Sequence, residues 1–162
     1  AIAPWQATDD GGGAPMLAVR RVAGDGHCLF RAYLVSLGRV ADDAAVAAAR
    51  ARVVAHVRAQ WVEYAPFARG DHASADVYER DMGASGAAWG GELELAALAR
   101  VDGARIRVYD ARRRRWMPEY APVAAAAGGA PPLATGQAQP VARLRHRVNH
   151  YDAICTVVPA AA

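Results

Sequence analysis

Lysine is missing from this 162-residue chain, so its 19 lysine or arginine residues are all arginine. Asparagine occurs once and phenylalanine twice, whereas alanine, glycine and arginine are abundant. This joint bias is typical of a GC-rich coding sequence, which is the simplest explanation of the absent lysine. The net charge of +3 is too small to favour nucleic acid as the main partner, and we do not expect one.

Long apolar segments are also missing. No stretch approaches the roughly 18 consecutive apolar residues of a membrane-spanning helix. The N-terminus lacks a basic segment followed by an apolar one, as a secretory signal would have. We therefore expect no membrane partner.

Cysteine occurs only twice, at Cys28 after a glycine-rich turn and at Cys155 inside an apolar run. Because the two contexts differ so much, we do not expect a disulfide between them. Free thiols indicate a reducing compartment, so we expect the cytoplasm, or the host cytosol if the source is a pathogen. The histidines His56, His72 and His146 have no companions at ligand spacing, so we expect neither a metal nor a cofactor.

Turn-forming residues indicate how the chain is divided. Residues 1–15 cluster glycine and proline without an apolar period, which predicts a linker or disordered segment. We interpret residues 16–158 as one domain and residues 159–162 as a tail. The chain begins without Met, which we interpret as a piece of a longer protein. We expect the domain to be monomeric.

Hydrophobic periodicity predicts helices first and strands last. The helical patterns cover residues 28–37, 42–64, 76–82 and 92–101, and the strand patterns cover 17–22, 105–109, 116–120, 141–148 and 151–158. A short entering strand, then helices, then a small and mostly antiparallel sheet flanked by them predict an α+β fold.

The segment around Cys28 has the features that a nucleophilic cysteine requires. A helix that starts at this residue would place unpaired amides and the positive end of its dipole beside the sulfur. Gly24 and Gly26 would allow the preceding turn to direct its amides into one pocket, as an oxyanion hole needs. Two alternatives stay open: a buried thiol at the start of a core helix, and a phosphate-binding loop, which Asp25 disfavours.

The second chemical segment lies at the start of the last strand. Strand side chains alternate, so His150 and Asp152 project from the same face and Tyr151 from the other. A carboxylate beside an imidazole fixes its tautomer and leaves the other ring nitrogen free to act as a base. A surface histidine with an incidental acidic neighbour is the alternative.

Three segments together resemble the ovarian tumour (OTU) domain cysteine peptidases, most of which are deubiquitinases. They are GDGHCLFRA at residues 24–32, WGGELELAALA at residues 89–99 and NHYD at residues 149–152. They occur in the order of that family's nucleophile, central and histidine blocks, and they span nearly the whole domain. The resemblance implies a papain-like fold of the OTU type.

The resemblance also implies a role for each residue of these segments. Cys28 would be the nucleophile, His150 the general base and Asp152 the third member, while Asp25 would support the turn that forms the oxyanion hole. The remaining implied positions are the backbone of Gly26 and His27 at the oxyanion hole, and Trp89, Gly90 and Gly91 at the substrate groove. His27 departs from the family, which most often has Asn there.

The expected activity is hydrolysis of the bond after the C-terminal glycine of ubiquitin, of polyubiquitin or of a ubiquitin-like modifier. A catalytically weak ubiquitin-binding module of the same fold is the first alternative, and a peptidase for unrelated peptides is the second. The run Arg112–Arg115 falls on a predicted hairpin turn, where solvated charge is ordinary. An acidic surface on a partner is the second interpretation of that run.

Overall fold

In the computed structural model, residues 3–5, 17–68, 72–83, 88–122 and 139–156 are described. The strands are β1 (Ala3–Trp5), β2 (Leu17–Arg20), β3 (Arg105–Asp110), β4 (Arg115–Trp116), β5 (Val141–Arg147) and β6 (His150–Thr156). The α-helices are α1 (Cys28–Ser36), α2 (Asp43–Ala59), α3 (Trp61–Tyr64), α4 (Ala75–Gly83) and α5 (Glu92–Asp102), and a 3₁₀ turn covers Ala65–Phe67.

The strands form one sheet in the order β1-β2-β6-β5-β3-β4. The pairing of β3 with β5 is parallel, and the other four pairings are antiparallel. The predicted α+β class with a mostly antiparallel sheet is therefore confirmed.

The turn between β5 and β6 brings the histidine segment back onto the sheet. Arg147 pairs with His150 across it, and Val148 and Asn149 both have positive φ, at 30° and 42°. A two-residue hairpin with two positive φ angles matches the right-handed twist of its strands, and asparagine tolerates that conformation well. His150 is consequently the first residue of β6.

Three boundaries differ from the sequence predictions. Strand β1 lies inside residues 1–15, which we interpreted as a linker; the other residues of that segment, and the predicted tail at 159–162, lie outside the described residues. Helix α2 ends at Ala59 and a separate turn, α3, follows Gln60, because Gln60 leaves the helical region at φ −115° and ψ 31°. Strand β4 has two residues; after it, the amide of Met117 donates to the carbonyl of Val108, and Tyr120 forms an isolated bridge with Ile106.

The core lies between the sheet and helices α1, α2, α4 and α5. Helix α1 packs directly on β6 and β5, and its Phe30 and Tyr33 are fully buried, as is Tyr78 of α4. Much of the remaining core is alanine and valine, so these aromatic side chains supply a large part of the buried area. Among the described helices, none combines the length and the apolar character that crossing a bilayer requires.

Candidate active site

Helix α1 begins at Cys28, as its sequence pattern predicted. The turn before it contains Gly26 at φ 81°, a conformation that side chains with a Cβ rarely adopt. The first turn of the helix closes through the amide of Arg31, which donates to the carbonyl of His27 at 3.0 Å. Cys28 is only 3% exposed, and its backbone amide stands at the unpaired N-terminal end of the helix.

His150 and Asp152 meet on one face of β6. Nε2 of His150 lies 3.1 Å from Oδ1 of Asp152, and because a carboxylate only accepts, the hydrogen belongs on Nε2. Nδ1 is then the ring nitrogen that can take up a proton. Asp152 is fully buried, and its second oxygen accepts from Nε of Arg147 at 2.9 Å.

The turn and the strand converge on the sulfur of Cys28. The backbone amide of Tyr151 faces this sulfur, and a Cβ placed on Gly24 would lie 3.6 Å from Nδ1 of His150. Burial raises the pKa of the Cys28 thiol, the amides of Tyr151 and Leu29 oppose that change, and the carboxylate of Asp25 adds to it. The raised pKa favours the neutral form of the thiol, so a nearby base would assist its ionisation.

Asp25 braces the turn and does not contact His150. Its Oδ1 accepts from the amide of His27 at 3.0 Å, and its Oδ2 pairs with Arg31 at 2.9 Å. Burial alone would raise the pKa of Asp25, but the His27 amide and the Arg31 guanidinium outweigh burial and lower it. The His27 amide, which the resemblance assigns to the oxyanion hole, donates to Asp25 in this structure, and its role as an oxyanion donor stays a prediction.

The amides of Gly26 and Cys28 remain for an oxyanion. In the part of the chain that the structure describes, neither amide donates to a backbone or side-chain oxygen, and the amide of Cys28 faces its own sulfur.

A groove of about 1170 Å³ opens beside these residues. Neither Cys28 nor His150 lines it, but Asn149 and Tyr151, the residues on either side of His150, do. The predicted groove residues Trp89, Gly90 and Gly91 line it as well. Trp89 is 51% exposed, so its ring is a wall of the groove and not part of the core.

The chain matches the model of a known protein family. The family model described as OTU-like cysteine protease matches residues 23–134, more than two thirds of the chain. The chain belongs to this family. The match includes the turn and Cys28 and stops before His150. The fold of this OTU domain brings His150 next to that turn.

Two curated relatives and several solved structures are similar to this OTU domain. Deubiquitinase OTUD6B of Gallus gallus is 32% identical over 89 residues, which are 51% of this chain and 30% of the relative. OTUD6B of Xenopus tropicalis is 28% identical over 102 residues, or 59% of this chain and 34% of the relative. The chain thus spans about a third of the length of these relatives.

The solved structures agree in fold at low identity. The OTUD1 OTU domain has a TM-score of 0.63 at 20% identity, with 85% of each chain covered. The Hazara virus OTU bound to ubiquitin has a TM-score of 0.63 at 17% identity, with 97% of this chain and 96% of that chain covered.

Sequence reasoning missed two arginines at this site. Arg147 donates through Nε to Oδ2 of Asp152 at 2.9 Å, and the buried Arg50 of α2 donates to the carbonyl of Gly26 at 3.1 Å. The available signal for Arg50 was its place on the buried face of α2, between Val46 and Val53. A lone arginine in such a stripe has its partners far away in sequence.

Metal ligands are not gathered anywhere in the described ranges of this OTU domain. Among those residues no group of three or more His, Cys, Asp or Glu side chains is placed to hold an ion.

Proposed function

We propose that this OTU domain hydrolyses the bond after the C-terminal glycine of ubiquitin, with Cys28 as nucleophile, His150 as general base and Asp152 as the group that orients His150. One observation carries the proposal: the strand that pairs His150 with Asp152 at 3.1 Å also directs its Tyr151 amide at the sulfur of Cys28. Nucleophile, base and orienting acid are thereby supplied by adjacent elements.

The proposed reaction follows from these positions. Nδ1 of His150 takes the proton of Cys28 Sγ, and the thiolate attacks the carbonyl carbon of the terminal glycine. The resulting oxyanion accepts from the amides of Gly26 and Cys28. Collapse of the intermediate expels the amine, which takes the proton from His150. A water deprotonated by His150 then hydrolyses the thioester and releases the ubiquitin carboxylate and the thiol.

The relatives support ubiquitin as the substrate class. Two are named deubiquitinases, and the Hazara virus OTU is bound to ubiquitin in its solved structure. The groove that Tyr151 and Trp89 line has a volume of about 1170 Å³, which is large enough for an extended peptide tail. We propose ubiquitin or polyubiquitin as the main partner and ubiquitin-like modifiers as a further class.

The test is cleavage of ubiquitin that carries a fluorogenic amide at its C-terminus. The wild-type chain should release the fluorophore, and Cys28→Ala should not, while binding of ubiquitin and thermal unfolding stay close to wild type. For His150→Ala we expect turnover to fall by several orders of magnitude, since at neutral pH only a few per cent of an ordinary thiol is ionised without a base. Release at the wild-type rate by Cys28→Ala would sink the mechanism.

A ubiquitin-binding module with weak catalysis is the second candidate function. The observation in its favour is the burial of Cys28, which raises the pKa of the thiol and limits access to it. A ubiquitin probe with a C-terminal electrophile separates the two candidates. It should attach covalently to Cys28 of an enzyme, whereas a module would bind the probe without forming the bond.

We also propose a reducing compartment, the cytoplasm, for this domain. Cys28 and Cys155 are both free thiols, which supports the proposal.

A further inference from the structure

Arg50 is a buried cation with no carboxylate within ion-pair distance in the described structure. It lies in the middle of α2 and is 3% exposed. Its guanidinium instead donates to three backbone carbonyls: Nε to Met82 at 2.6 Å, one terminal nitrogen to Gly26 at 3.1 Å, and the other to Ala88 at 2.7 Å. It also lies over the ring of Phe30, 5.5 Å from the centroid.

The three carbonyls belong to segments that border the proposed reaction. Gly26 is in the turn before the nucleophile, which we call the oxyanion turn (residues 24–27). Met82 is next to the last residue of α4. Ala88 directly precedes Trp89, which forms the groove wall together with Gly90 and Gly91. These segments are 24, 32 and 38 residues away from Arg50 in sequence. A single planar guanidinium therefore joins the oxyanion turn to the groove wall, which no local hydrogen bond could do.

The peptide unit between Gly26 and His27 is held at both of its ends. Its carbonyl accepts from Arg50, and its amide donates to Oδ1 of Asp25 at 3.0 Å. Rotating this peptide would break both bonds at once. The orientation of the peptide sets where the neighbouring amides of Gly26 and Cys28 point, so the two bonds determine the direction of the oxyanion donors.

Burial of this arginine is costly. Desolvation lowers the pKa of Arg50, which the nearby charge of Glu94 partly offsets. An aliphatic side chain would fill the same site on α2 without desolvating a charge. An aliphatic side chain could not, however, donate several hydrogen bonds from one rigid planar group as the guanidinium does.

We propose that Arg50 is a positioning residue for the hydrolysis, which holds the oxyanion turn and the groove wall in one arrangement; the proposal rests on the proposed function. Arg50 does not touch the reacting atoms and acts through the backbone of Gly26 and Ala88. Its loss should lower kcat more than it changes KM, because misdirected oxyanion donors weaken binding of the transition state alone.

The informative variant is Arg50→Lys, which keeps the charge and most of the stem but cannot reach all three carbonyls. Arg50→Met serves as the second variant if the lysine side chain prevents folding. Arg52→Lys is the matched control, since Arg52 is on the same helix, half exposed and paired with Asp102 at 2.9 Å. Hydrolysis of the fluorogenic ubiquitin amide is followed beside alkylation of Cys28 by iodoacetamide, which needs no oxyanion hole.

We expect Arg50→Lys to lose about 10–100-fold in kcat, somewhat less than removal of an oxyanion donor costs. KM should change by less than kcat, the rate of Cys28 alkylation should stay near wild type, and Arg52→Lys should match wild type throughout. An unchanged kcat in a folded Arg50 variant overturns the proposal. So does an equal loss of turnover and alkylation, which would indicate a general loss of structure.

Hydrogen–deuterium exchange at the backbone amide of His27 tests the proposal independently of catalytic activity. Arg50→Lys should increase this exchange by loosening the peptide, and Arg52→Lys should not. If wild-type protein fails to cleave the ubiquitin substrate, the proposed function is wrong while the exchange result still decides the role of Arg50. Unchanged exchange at His27 in the Arg50 variants would refute it.

Discussion

Asp25 and Asp152 both belong to the candidate active site, yet their partners differ. Asp152 is fully buried and accepts from His150 and Arg147. Asp25 is partly exposed and accepts from the His27 amide and Arg31. The first aspartate acts on a side chain and the second on a turn, so the two should fail in different ways when replaced.

Replacement of each aspartate distinguishes these roles. Asp152→Asn keeps the shape of the buried group but loses its charge, so we expect turnover to fall by about 10²–10⁴-fold while slow reaction of Cys28 with a ubiquitin electrophile persists.

Asp25→Ala should lower turnover and also lower the free energy of unfolding by about 1 kcal/mol, a small value because solvent screens this carboxylate. Turnover and urea unfolding of both variants provide the measurement. A silent Asp152→Asn beside an inactive but stable Asp25→Ala would reverse the assignment.

The reactivity of Cys28 should depend on pH in a specific direction. Burial and the Asp25 carboxylate raise the pKa of the thiol above its ordinary value of 9.0 in the free protein. The thiolate fraction, and with it the rate of alkylation by iodoacetamide, should therefore still be rising with pH at pH 9.0. Mass spectrometry distinguishes Cys28 from Cys155 in this experiment.

A matched variant checks the cause of this pH dependence. Asp25→Asn removes the negative charge that raises the pKa of Cys28, so its alkylation profile should move to lower pH. A wild-type rate that already levels off in the acid range would contradict the prediction, because it would mean a resting pair of thiolate and imidazolium.

At the scale of elements, the start of α5 depends on a buried carboxylate. Glu94 accepts from the amide of Gly91 at 2.6 Å through one oxygen and from the hydroxyl of Tyr78 at 2.9 Å through the other. Glu94 and Tyr78 are both buried. These bonds tie α4 to the first turn of α5 and hold the glycines of the groove wall between them.

Removing the Tyr78 hydroxyl should weaken this connection. Tyr78→Phe leaves one oxygen of buried Glu94 without that donor, so we expect the free energy of unfolding to fall by about 1.5–3 kcal/mol. Tyr33→Phe is the control: Tyr33 donates to Asp102, but Asp102 keeps Arg39 at 2.8 Å and Arg52 at 2.9 Å. Urea unfolding should show a clearly larger loss for Tyr78→Phe. A loss equal to that of Tyr33→Phe would argue against the role of Glu94.

Elements with local signals were predictable from sequence, and those with distant partners were not. Gly24 and Gly26 before an apolar helical pattern placed the start of α1 at Cys28, and strand alternation placed His150 and Asp152 on one face. Strand β1 was missed because its three residues exist as a strand only through pairing with β2. The three carbonyl partners of Arg50 lie on three other segments, and no periodicity specifies such contacts.

At the scale of the whole molecule, two partly buried histidines link stability to pH. His56 of α2 lies 3.0 Å from the hydroxyl of Tyr64, and the ring of His146 of β5 packs at a tilt against that of Tyr151 with 4.7 Å between ring centroids. Burial lowers the pKa of His56, with Arg100 adding to the effect and Glu63 opposing it. Burial also lowers the pKa of His146, against the attraction of Asp110 and Glu92. Both imidazoles are thus favoured in their neutral form by folding.

The free energy of unfolding should consequently decrease as the solution becomes mildly acidic. Each folded-state pKa is below the ordinary 6.5, so between the two values the unfolded chain binds more protons than the folded one, and acid favours unfolding. The stability is fully present above pH 6.5 and is lost as the pH falls toward the folded-state pKa, at no more than about 1.4 kcal/mol per pH unit from each histidine. Urea unfolding across this range measures the slope, and the double variant His56→Gln, His146→Gln should flatten it. An equally steep slope in the double variant would assign the acid sensitivity to other groups.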